Sequence, residues 1–225
     1  MQVVEIFHSI QGEGLLAGVP SVFIRLAGCS LRCRWCDTAY AWDYEFGTEY
    51  GVDDLVEAVT QWPCGHVVIT GGEPMVGADS GPRAGLIKLT RRLRDSDKHV
   101  TIETSGLVFI DDLACDLMSV SPKLSNAAGQ GDVPPVNAAV LARLMDRYNS
   151  QLKCVVQDES DLDEIEDLLA KLSNVSRDTV LLMPQVRSRD EWLARAPKVA
   201  ELALRHGLRF CPRLQTLLWD NTPGR

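Results

Sequence analysis

The 225-residue sequence is long enough for one domain with a full hydrophobic core, and it does not require a second domain. Its formal net charge of −8 argues against a nucleic-acid partner bound through phosphates, which would call for a basic stripe, and no apolar stretch reaches the length of a membrane span. Residues 1–7 lack the basic start and the long apolar centre of a signal peptide, so we expect a cytoplasmic protein with neither nucleic acid nor membrane as partner.

In chain order, the apolar periodicities predict strands at residues 1–7, 22–26, 66–70, 100–106, 116–120, 151–156, 179–183 and 208–211, and helices at 51–62, 83–94, 136–148, 160–172 and 188–207. Alternating strands and helices indicate a mostly parallel sheet. Residues 1–7 could also be an extended lead and 208–211 are short, so six or seven strands remain, which are too few for a complete eightfold barrel. The predicted fold class is therefore α/β, an incomplete TIM-like barrel of about six parallel strands, built as one domain over residues 1–225.

A loop with two glycines follows the first predicted strand, in the sequence His-Ser-Ile-Gln-Gly-Glu-Gly of residues 8–14. Glycine lets the backbone approach a ligand closely. Gln11 and Glu13 offer the donor and acceptor groups that a flat nitrogen heterocycle needs. A plain surface turn is the alternative interpretation.

Arg25 interrupts the apolar strand 22–26. A buried charge needs a partner, which is either an internal carboxylate or an anionic ligand that the guanidinium binds with its fork. Because Arg25 lies four residues before Cys29, the second option is favoured.

Three of the seven cysteines, Cys29, Cys33 and Cys36, follow this strand in one loop. In a cytoplasmic protein such cysteines indicate metal binding or catalysis rather than disulfides. Four thiolates would complete a structural zinc site or an iron–sulfur cluster. Three thiolates on a [4Fe–4S] cluster leave one iron open for S-adenosylmethionine. Two alternatives remain, namely a zinc site with a distant fourth ligand and unpaired cysteines of the core.

Further polar groups follow the predicted strands. Thr38, behind the cysteine loop, is either an ordinary turn residue or a ligand for a hard cation. Strand 66–70 leads into Gly-Gly-Glu-Pro at 71–74, a backbone edge that could accept hydrogen bonds from an ammonium group. Glu103 and Thr104 could face a site, and Lys153 is a lone charge in strand 151–156. The apolar tail 213–219 is expected to fold over the site or into a subunit interface.

The cysteine spacing, with Trp35 directly before the last cysteine, resembles the cluster motif of the radical S-adenosylmethionine (radical SAM) superfamily. The ordered motifs Ser-Ile-Gln-Gly-Glu-Gly, Phe-Ile-Arg-Leu-Ala-Gly-Cys, Cys-Arg-Trp-Cys-Asp-Thr, Thr-Gly-Gly-Glu-Pro, Glu-Thr-Ser-Gly and Ser-Pro-Lys resemble 7-carboxy-7-deazaguanine synthases within it. The resemblance is specific over residues 5–123 and looser beyond, and the end of the tail, residues 221–225, has no clear counterpart.

This resemblance implies a radical SAM core with an N-terminal substrate loop, and a carbon–nitrogen lyase. The family converts 6-carboxy-5,6,7,8-tetrahydropterin to 7-carboxy-7-deazaguanine, on the route to queuosine. The implied cofactors are a [4Fe–4S] cluster, S-adenosylmethionine and Mg²⁺. The implied partners are a flavodoxin- or ferredoxin-type electron donor and a second copy of the chain in a homodimer.

The resemblance also implies roles for individual residues. The cluster ligands would be Cys29, Cys33 and Cys36, and Thr38 would bind magnesium. Residues expected at S-adenosylmethionine are Trp35, Asp37, Gly72, Glu73, Ser121, Pro122 and Lys123. Residues expected at the pterin are Ile10, Gln11, Gly12, Glu13, Arg25 and Thr70, with Arg25 on the substrate carboxylate.

Two other functions stay open on sequence alone. An activase that makes a glycyl radical on a protein partner has the same cysteine spacing, but nothing in its chemistry calls for the 11–14 loop or for Arg25. A zinc-binding module without catalysis would need a fourth ligand, and the chain has four histidines to offer, His8, His66, His99 and His206.

Overall fold

A computed structural model describes residues 1–76, 82–128, 133–172 and 174–220, together with residues 222 and 224. Over these residues nine strands form one sheet. They are β1 (Gln2–Ile10), β2 (Pro20–Leu26), β3 (Thr48–Glu49), β4 (His66–Gly71), β5 (His99–Thr104), β6 (Leu117–Val120), β7 (Ser150–Val156), β8 (Val180–Pro184) and β9 (Arg209–Phe210).

Helices connect the strands. They are α1 (Val52–Thr60), α2 (Pro82–Asp95), α3 (Ala138–Arg147), α4 (Asp161–Ala170), α5 (Arg189–His206) and α6 (Leu214–Trp219). Helix α1 buries Leu55, Val56 and Val59, the residues whose spacing predicted it. At the start of α5, the side chain of Ser188 accepts a hydrogen bond from the backbone amide of Glu191, which satisfies one of the unpaired donors at the helix start.

The strands lie in the order β3-β1-β2-β4-β5-β6-β7-β8-β9. From β2 to β9 all neighbours pair in parallel, whereas β1 pairs antiparallel with β2 and β3. The order has two ends, β3 and β9, so the sheet is open and not a closed barrel. This confirms the predicted incomplete α/β barrel. The described part has seven parallel strands, where about six were expected.

Strand β1 differs from the prediction, because it continues to Ile10 instead of ending at residue 7. Its last residues, Ser9 and Ile10, pair with Ser21 and Pro20 of β2, so the loop that joins the two strands begins only at Gln11. The sequence did not predict this extension because His8 and Ser9 are polar. They belong to the strand because they pair with β2, and not because of an apolar pattern.

The core lies between the sheet and its helices. The central parallel strands are covered on both faces, which is why segments such as Val67–Ile69 and Val180–Leu182 are continuous apolar runs. In the part of the chain that the structure describes, no helix combines the length and the apolar character that crossing a membrane would need.

Candidate active site

A cavity of about 380 Å³ opens at the carboxyl ends of the parallel strands. This is the edge where α/β sheets bind ligands, because the loops that follow neighbouring strands converge there. Loop 11–16, the cysteine loop and the chain around α6 complete its walls. Every predicted site residue except Pro122 lines this one cavity.

The three loop cysteines share one wall of the cavity. Cys33 is buried, Cys29 and Cys36 are partly exposed, and none forms a disulfide. They pack in one cluster with Leu31 and Ala127. The loop is held by backbone hydrogen bonds from the amide of Cys29 to the oxygen of Trp42 (2.8 Å) and from Cys36 to the oxygen of Cys33 (3.1 Å).

The donor set of this loop, three cysteine sulfurs on one wall of the cavity, fits the ligands of an iron–sulfur cluster. Across the described ranges, no three His, Cys, Asp or Glu side chains converge as the ligands of one metal ion would. Ligands of a single zinc lie about 2.3 Å from a common centre, whereas the cysteines of a cluster bind different irons and stay further apart. Burial raises the pKa of the Cys29 thiol to about 11, so the positive charge of a metal is needed to make it a thiolate.

Gly72 joins the ends of β2 and β4 beside the cysteine loop. Its amide donates to the oxygen of Leu26 (2.9 Å), and the next amide, of Glu73, donates to the oxygen of Gly28 (2.8 Å). A Cβ at position 72 would lie 2.1 Å from the Gly28 oxygen. Only glycine therefore fits where these backbones meet, and the predicted open edge lies next to the cysteines.

The carboxylate of Glu73 is directed at the loop after β5. It accepts hydrogen bonds from the Thr104 hydroxyl (2.6 Å), from the amide of Ser105 (2.6 Å) and its hydroxyl, and from the amide of Met75 (3.1 Å). Glu73 is 3% exposed. It therefore braces two strand ends, while the backbone of Gly72 faces the cavity.

Trp35 and Lys123 bring the cysteine loop and the end of β6 together. The Trp35 indole donates to the oxygen of Asn126 (3.1 Å), and the Lys123 ammonium lies 5.4 Å from the centre of the Trp35 ring. Lys123 also donates to the backbone oxygen (2.9 Å) and the hydroxyl (3.0 Å) of Ser121. These contacts form a flat aromatic wall with a cation beside it.

Loop 11–16 is fixed from below. The Gly14 amide donates to the Cys211 sulfur (3.1 Å) and the Leu15 amide to the side-chain oxygen of Gln151 (2.7 Å). Gly14 has φ +73°, a conformation that favours glycine, and a Cβ there would collide with Gln151. The loop is thus rigid, and it presents Gln11, Gly12 and Glu13 to the cavity.

Glu13, Glu103 and Lys153 form a buried charged cluster in the cavity. The Lys153 ammonium lies 2.8 Å from Oε2 of Glu13 and 3.2 Å from Oε1 of Glu103, and Lys153 is 2% exposed. Burial alone would raise the pKa of Glu13, but the charges of Lys153 and Arg213 outweigh it and hold that pKa well below its usual range.

Arg213, which immediately precedes α6, joins three walls of the cavity. Its guanidinium contacts Oε1 of Glu13 (3.1 Å), forms an ion pair with Asp37 and donates to the oxygen of Val186 (2.6 Å). The tail was expected to fold over the site or into a subunit interface, and these contacts place its first residue at the site.

Arg25 makes the internal ion pair that the sequence left open as an alternative. Its Nε donates to Glu5 (2.7 Å), and its guanidinium lies over the rings of Phe7 and Tyr40. The terminal nitrogens of Arg25 receive no acceptor from the described residues, and the side chain lines the cavity. The guanidinium can therefore hold Glu5 and still present a fork to an anion.

Thr38 lies in the cavity wall behind Cys36, with its hydroxyl 3.7 Å from the Cys36 sulfur. A single hydroxyl can supply one oxygen ligand to a Mg²⁺ ion, which usually keeps several of its waters. Thr70, at the end of β4, also lines the cavity and is buried.

Sequence reasoning missed several residues of this site. Lys153 was noted only as a lone charge, although a charge within an apolar strand was the signal that singled out Arg25. Arg213 and Gln215 belong to a tail whose fold could not be assigned. Glu103 was considered for the site without a partner, and its partner is Lys153.

Comparisons with known proteins agree with this arrangement. The family model "Radical SAM superfamily" matches residues 23–126. The chain is 39% identical to 7-carboxy-7-deazaguanine synthase of Halobacterium salinarum, over 97% of this chain and 90% of the relative. It is 38% identical to the enzyme of that name from Pyrobaculum aerophilum, over 100% of this chain and 97% of the relative.

Two solved structures share the fold. QueE from Escherichia coli superposes with a TM-score of 0.70 at 27% identity, covering 93% of this chain and 92% of that one. Streptococcus suis SuiB bound to precursor peptide SuiA superposes with a TM-score of 0.55 at 13% identity, covering 81% of this chain and 46% of that one, which is a likeness of fold alone. With its cysteine loop, its glycine strand end and these relatives, the chain belongs to the 7-carboxy-7-deazaguanine synthase family of the radical SAM superfamily.

Proposed function

We propose that this protein is a radical SAM lyase that converts 6-carboxy-5,6,7,8-tetrahydropterin to 7-carboxy-7-deazaguanine with loss of ammonia, in 7-deazapurine biosynthesis such as the queuosine route. The observation that carries the proposal is the convergence of the three-cysteine loop, the loop 11–13 and the Arg25 guanidinium on one cavity. A volume of about 380 Å³ suits a small heterocycle beside a nucleoside. Loop 11–13 and Arg25, for which a glycyl-radical activase has no need, line this same cavity, which favours the lyase over the activase.

In this proposal Cys29, Cys33 and Cys36 hold a [4Fe–4S] cluster. When bound, such a cluster supplies the electron that cleaves S-adenosylmethionine and generates a 5′-deoxyadenosyl radical. The protein's part is to place the cofactor. The backbone at Gly72 accepts hydrogen bonds from the ammonium group of the methionine moiety. The rest of S-adenosylmethionine is bordered by the face of the Trp35 ring, by Asp37 and by residues 121–123.

The pterin is oriented by loop 11–13 and Thr70 on one side and by Arg25 on the other. The fork of Arg25 binds the C6 carboxylate, which places the C6 hydrogen toward the cysteine wall. Gln11, with Glu13 behind it, reads the polar edge of the ring. Thr38 would hold Mg²⁺, which would supply positive charge near the bound substrate.

The electron donor in this proposal is a flavodoxin- or ferredoxin-type protein. Arg34 is exposed between two of the loop cysteines, and a second exposed guanidinium, of Arg187, donates to its backbone oxygen. Acidic carriers suit such a basic edge. The oxygen-sensitive chemistry and the cysteines without disulfides accord with a cytoplasmic location.

A homodimer is part of the same proposal. Leu193 and Leu204 on α5 and Leu218 on α6 are 56%, 81% and 47% exposed, and these apolar side chains are the ones that a second copy of the chain would cover. Sedimentation at working concentrations should give twice the chain mass of 24.8 kDa. A monomer would refute the dimer and leave the activity untouched.

The reaction is tested anaerobically. The protein with its reconstituted cluster receives reductant, Mg²⁺, S-adenosylmethionine and 6-carboxytetrahydropterin, and products are followed by mass spectrometry. We expect 7-carboxy-7-deazaguanine from the wild type and from Cys115→Ala, a cysteine outside the loop, and none from Cys33→Ala. If only 5′-deoxyadenosine and methionine appear, the radical chemistry stands and the substrate is wrong. If neither appears although the cluster is intact, the assignment fails.

A further inference from the structure

The proposed function gives no role to Lys153, yet this residue lies in the cavity with two carboxylates against it. Its side chain is 3% exposed, and both of its ion-pair partners come from other elements, Glu13 from loop 11–16 and Glu103 from β5. Burying an ammonium group costs desolvation free energy, which only well-placed opposite charges and hydrogen bonds offset.

The hydrogen bonds of the two carboxylates are unequal. Both oxygens of Glu13 are occupied, Oε2 by Lys153 and Oε1 by Arg213 (3.1 Å) and Gln215 (2.8 Å). On Glu103, Oε1 accepts from Gln11 (3.3 Å) and Lys153 (3.2 Å). Oε2 of Glu103 receives no donor from the described residues, and Glu103 lines the cavity. Lys153 thus binds Oε1 of Glu103 and leaves Oε2 available to a ligand in the cavity.

Two cations face this pair of carboxylates, and of the two Lys153 is the one that contacts both. The groups that face them are Lys153 and Arg213 as cations and the thiol of Cys211, whose pKa burial raises to about 11, so that it stays neutral. Burial alone would lower the pKa of Lys153, but Glu103 and Glu13 outweigh it and keep it protonated. Without Lys153 the two carboxylates would share this dry site with Arg213 alone, which contacts Glu13, and close carboxylates with too little positive charge do not both stay ionised.

We propose that Lys153 is a positioning residue for specificity, which holds the carboxylates of Glu13 and Glu103 side by side and fixes a free oxygen of Glu103 as an acceptor. The site then selects a planar ligand edge that carries several N–H donors and rejects edges that carry acceptors. The aminopyrimidine edge of the pterin has this chemistry, so the inference rests on the proposed function and adds the residue that sets the charge of the binding wall.

The test variant is Lys153→Met in the reconstituted protein. The matched control is Lys171→Met, which changes an exposed lysine at the end of α4. For Lys153→Met, the KM of the pterin relative to wild type should rise roughly 10- to 100-fold near pH 6, the loss expected when a hydrogen bond to a charged group fails. The ratio should shrink toward pH 8.5, where the carboxylate pair ionises again, with a smaller change in kcat. Lys171→Met should follow the wild type throughout.

A binding measurement separates charge from packing. Calorimetry of pterin binding in buffers of different ionisation enthalpy should show proton release near neutral pH for Lys153→Met beyond that of the wild type. The double variant Lys153→Met with Glu103→Gln should keep the weak binding and lose both the pH dependence and the extra proton release. If the KM ratio of Lys153→Met is independent of pH, or the double variant keeps its pH dependence, the proposal is wrong.

Failure to fold also decides the question. If Lys153→Met does not fold, restored folding in the charge-balanced double variant supports the proposal, and failure of the double variant as well assigns Lys153 to packing and overturns it. If the wild type neither binds nor converts the pterin, the proposed function fails by itself. In that case unfolding experiments test the Lys153 proposal. Lys153→Met should lose stability relative to wild type as pH rises from about 5 to 8, because the proton that the two carboxylates share in the folded variant is then lost.

Discussion

The guanidinium of Arg213 and the carboxylate of Asp37 form an ion pair that ties the chain just before α6 to the end of the cysteine loop. Arg213 is 8% exposed and also contacts Glu13, so one side chain joins the tail, the N-terminal loop and the cysteine loop. Its backbone has φ 54° and ψ 60°, which a residue other than glycine adopts only when its surroundings hold it there. The tail is therefore a wall of the site and not an appendage.

Replacing Arg213 with methionine should destabilise the protein by about 3–5 kcal/mol, because it leaves Glu13 without one of its two cations in a buried place. Urea unfolding of the anaerobic protein measures this. Arg213→Lys retains the charge but not the fork that spans Glu13 and Asp37, so it should fall between. The matched control is Arg209→Met, an exposed arginine in β9, which should stay within about 0.5 kcal/mol of wild type. Equal stability of Arg213→Met and Arg209→Met would show that the three-way contact is unimportant.

Arg25 should act on the substrate carboxylate and not only on the fold. Arg25→Lys retains a charge that can pair with Glu5 but has no fork, so the KM for 6-carboxytetrahydropterin should rise roughly 10- to 100-fold. A tetrahydropterin without the carboxylate should bind wild type and Arg25→Lys equally, as measured by calorimetry. Equal weakening for both ligands would mean that Arg25 only supports the strand.

Gly72 should not tolerate a side chain. A Cβ at this position would lie 2.1 Å from the Gly28 oxygen and 2.7 Å from the Ala41 oxygen, so Gly72→Ala must push the strand ends apart. We expect a loss of at least about 1–3 kcal/mol of stability, the range for overpacked sites, and weaker S-adenosylmethionine binding. Gly65→Ala is the control, since a Cβ there meets nothing within 4 Å. A Gly72→Ala protein with wild-type melting and cofactor binding would contradict the close approach of the two backbones.

The fold was predictable from the sequence where burial dictates pattern. The parallel strands are covered on both faces, so their apolar runs stood out, and the glycine and cysteine motifs marked the strand ends. What could not be predicted depends on partners distant in sequence. The pair Lys153–Glu103 spans 50 residues and Arg213–Glu13 spans 200 residues. A lone charge in a strand indicates that a partner exists but does not identify it.

Glu73 should contribute to stability through its four hydrogen bonds. In Glu73→Gln an amide nitrogen replaces one acceptor oxygen and faces the donors of Thr104 or Ser105, which should cost about 1.5–3 kcal/mol. Glu166→Gln, at an exposed carboxylate that pairs with Arg177, should cost less than about 1 kcal/mol. Thermal unfolding compares the two. If Glu73→Gln costs no more stability than Glu166→Gln, the hydrogen bonds of Glu73 are not structural, and a direct role of Glu73 at the cofactor would be favoured.

The histidine pair at the opposite end of the sheet should make stability depend on pH. His66 and His99 are paired residues of β4 and β5, with ring centres 4.7 Å apart, and the Nδ1 atoms of both are buried without a partner among the described residues. Burial, and then the neighbouring His99, lower the pKa of His66 below its ordinary value of 6.5, against a smaller opposing effect of Asp116. Asp116 is itself engaged by Arg94 (2.5 Å).

The sign follows from proton uptake. Above about pH 6.5, the ordinary histidine pKa, His66 is neutral in both states and contributes no pH dependence. As pH falls below that value, the unfolded chain takes up a proton before the folded protein does, so stability falls until pH passes the lowered folded pKa. Urea unfolding from pH 8 to pH 5 should therefore show a loss for wild type that is smaller in His66→Gln. Because the other titrating groups are common to both proteins, parallel curves would mean that His66 titrates alike in the folded and unfolded chains.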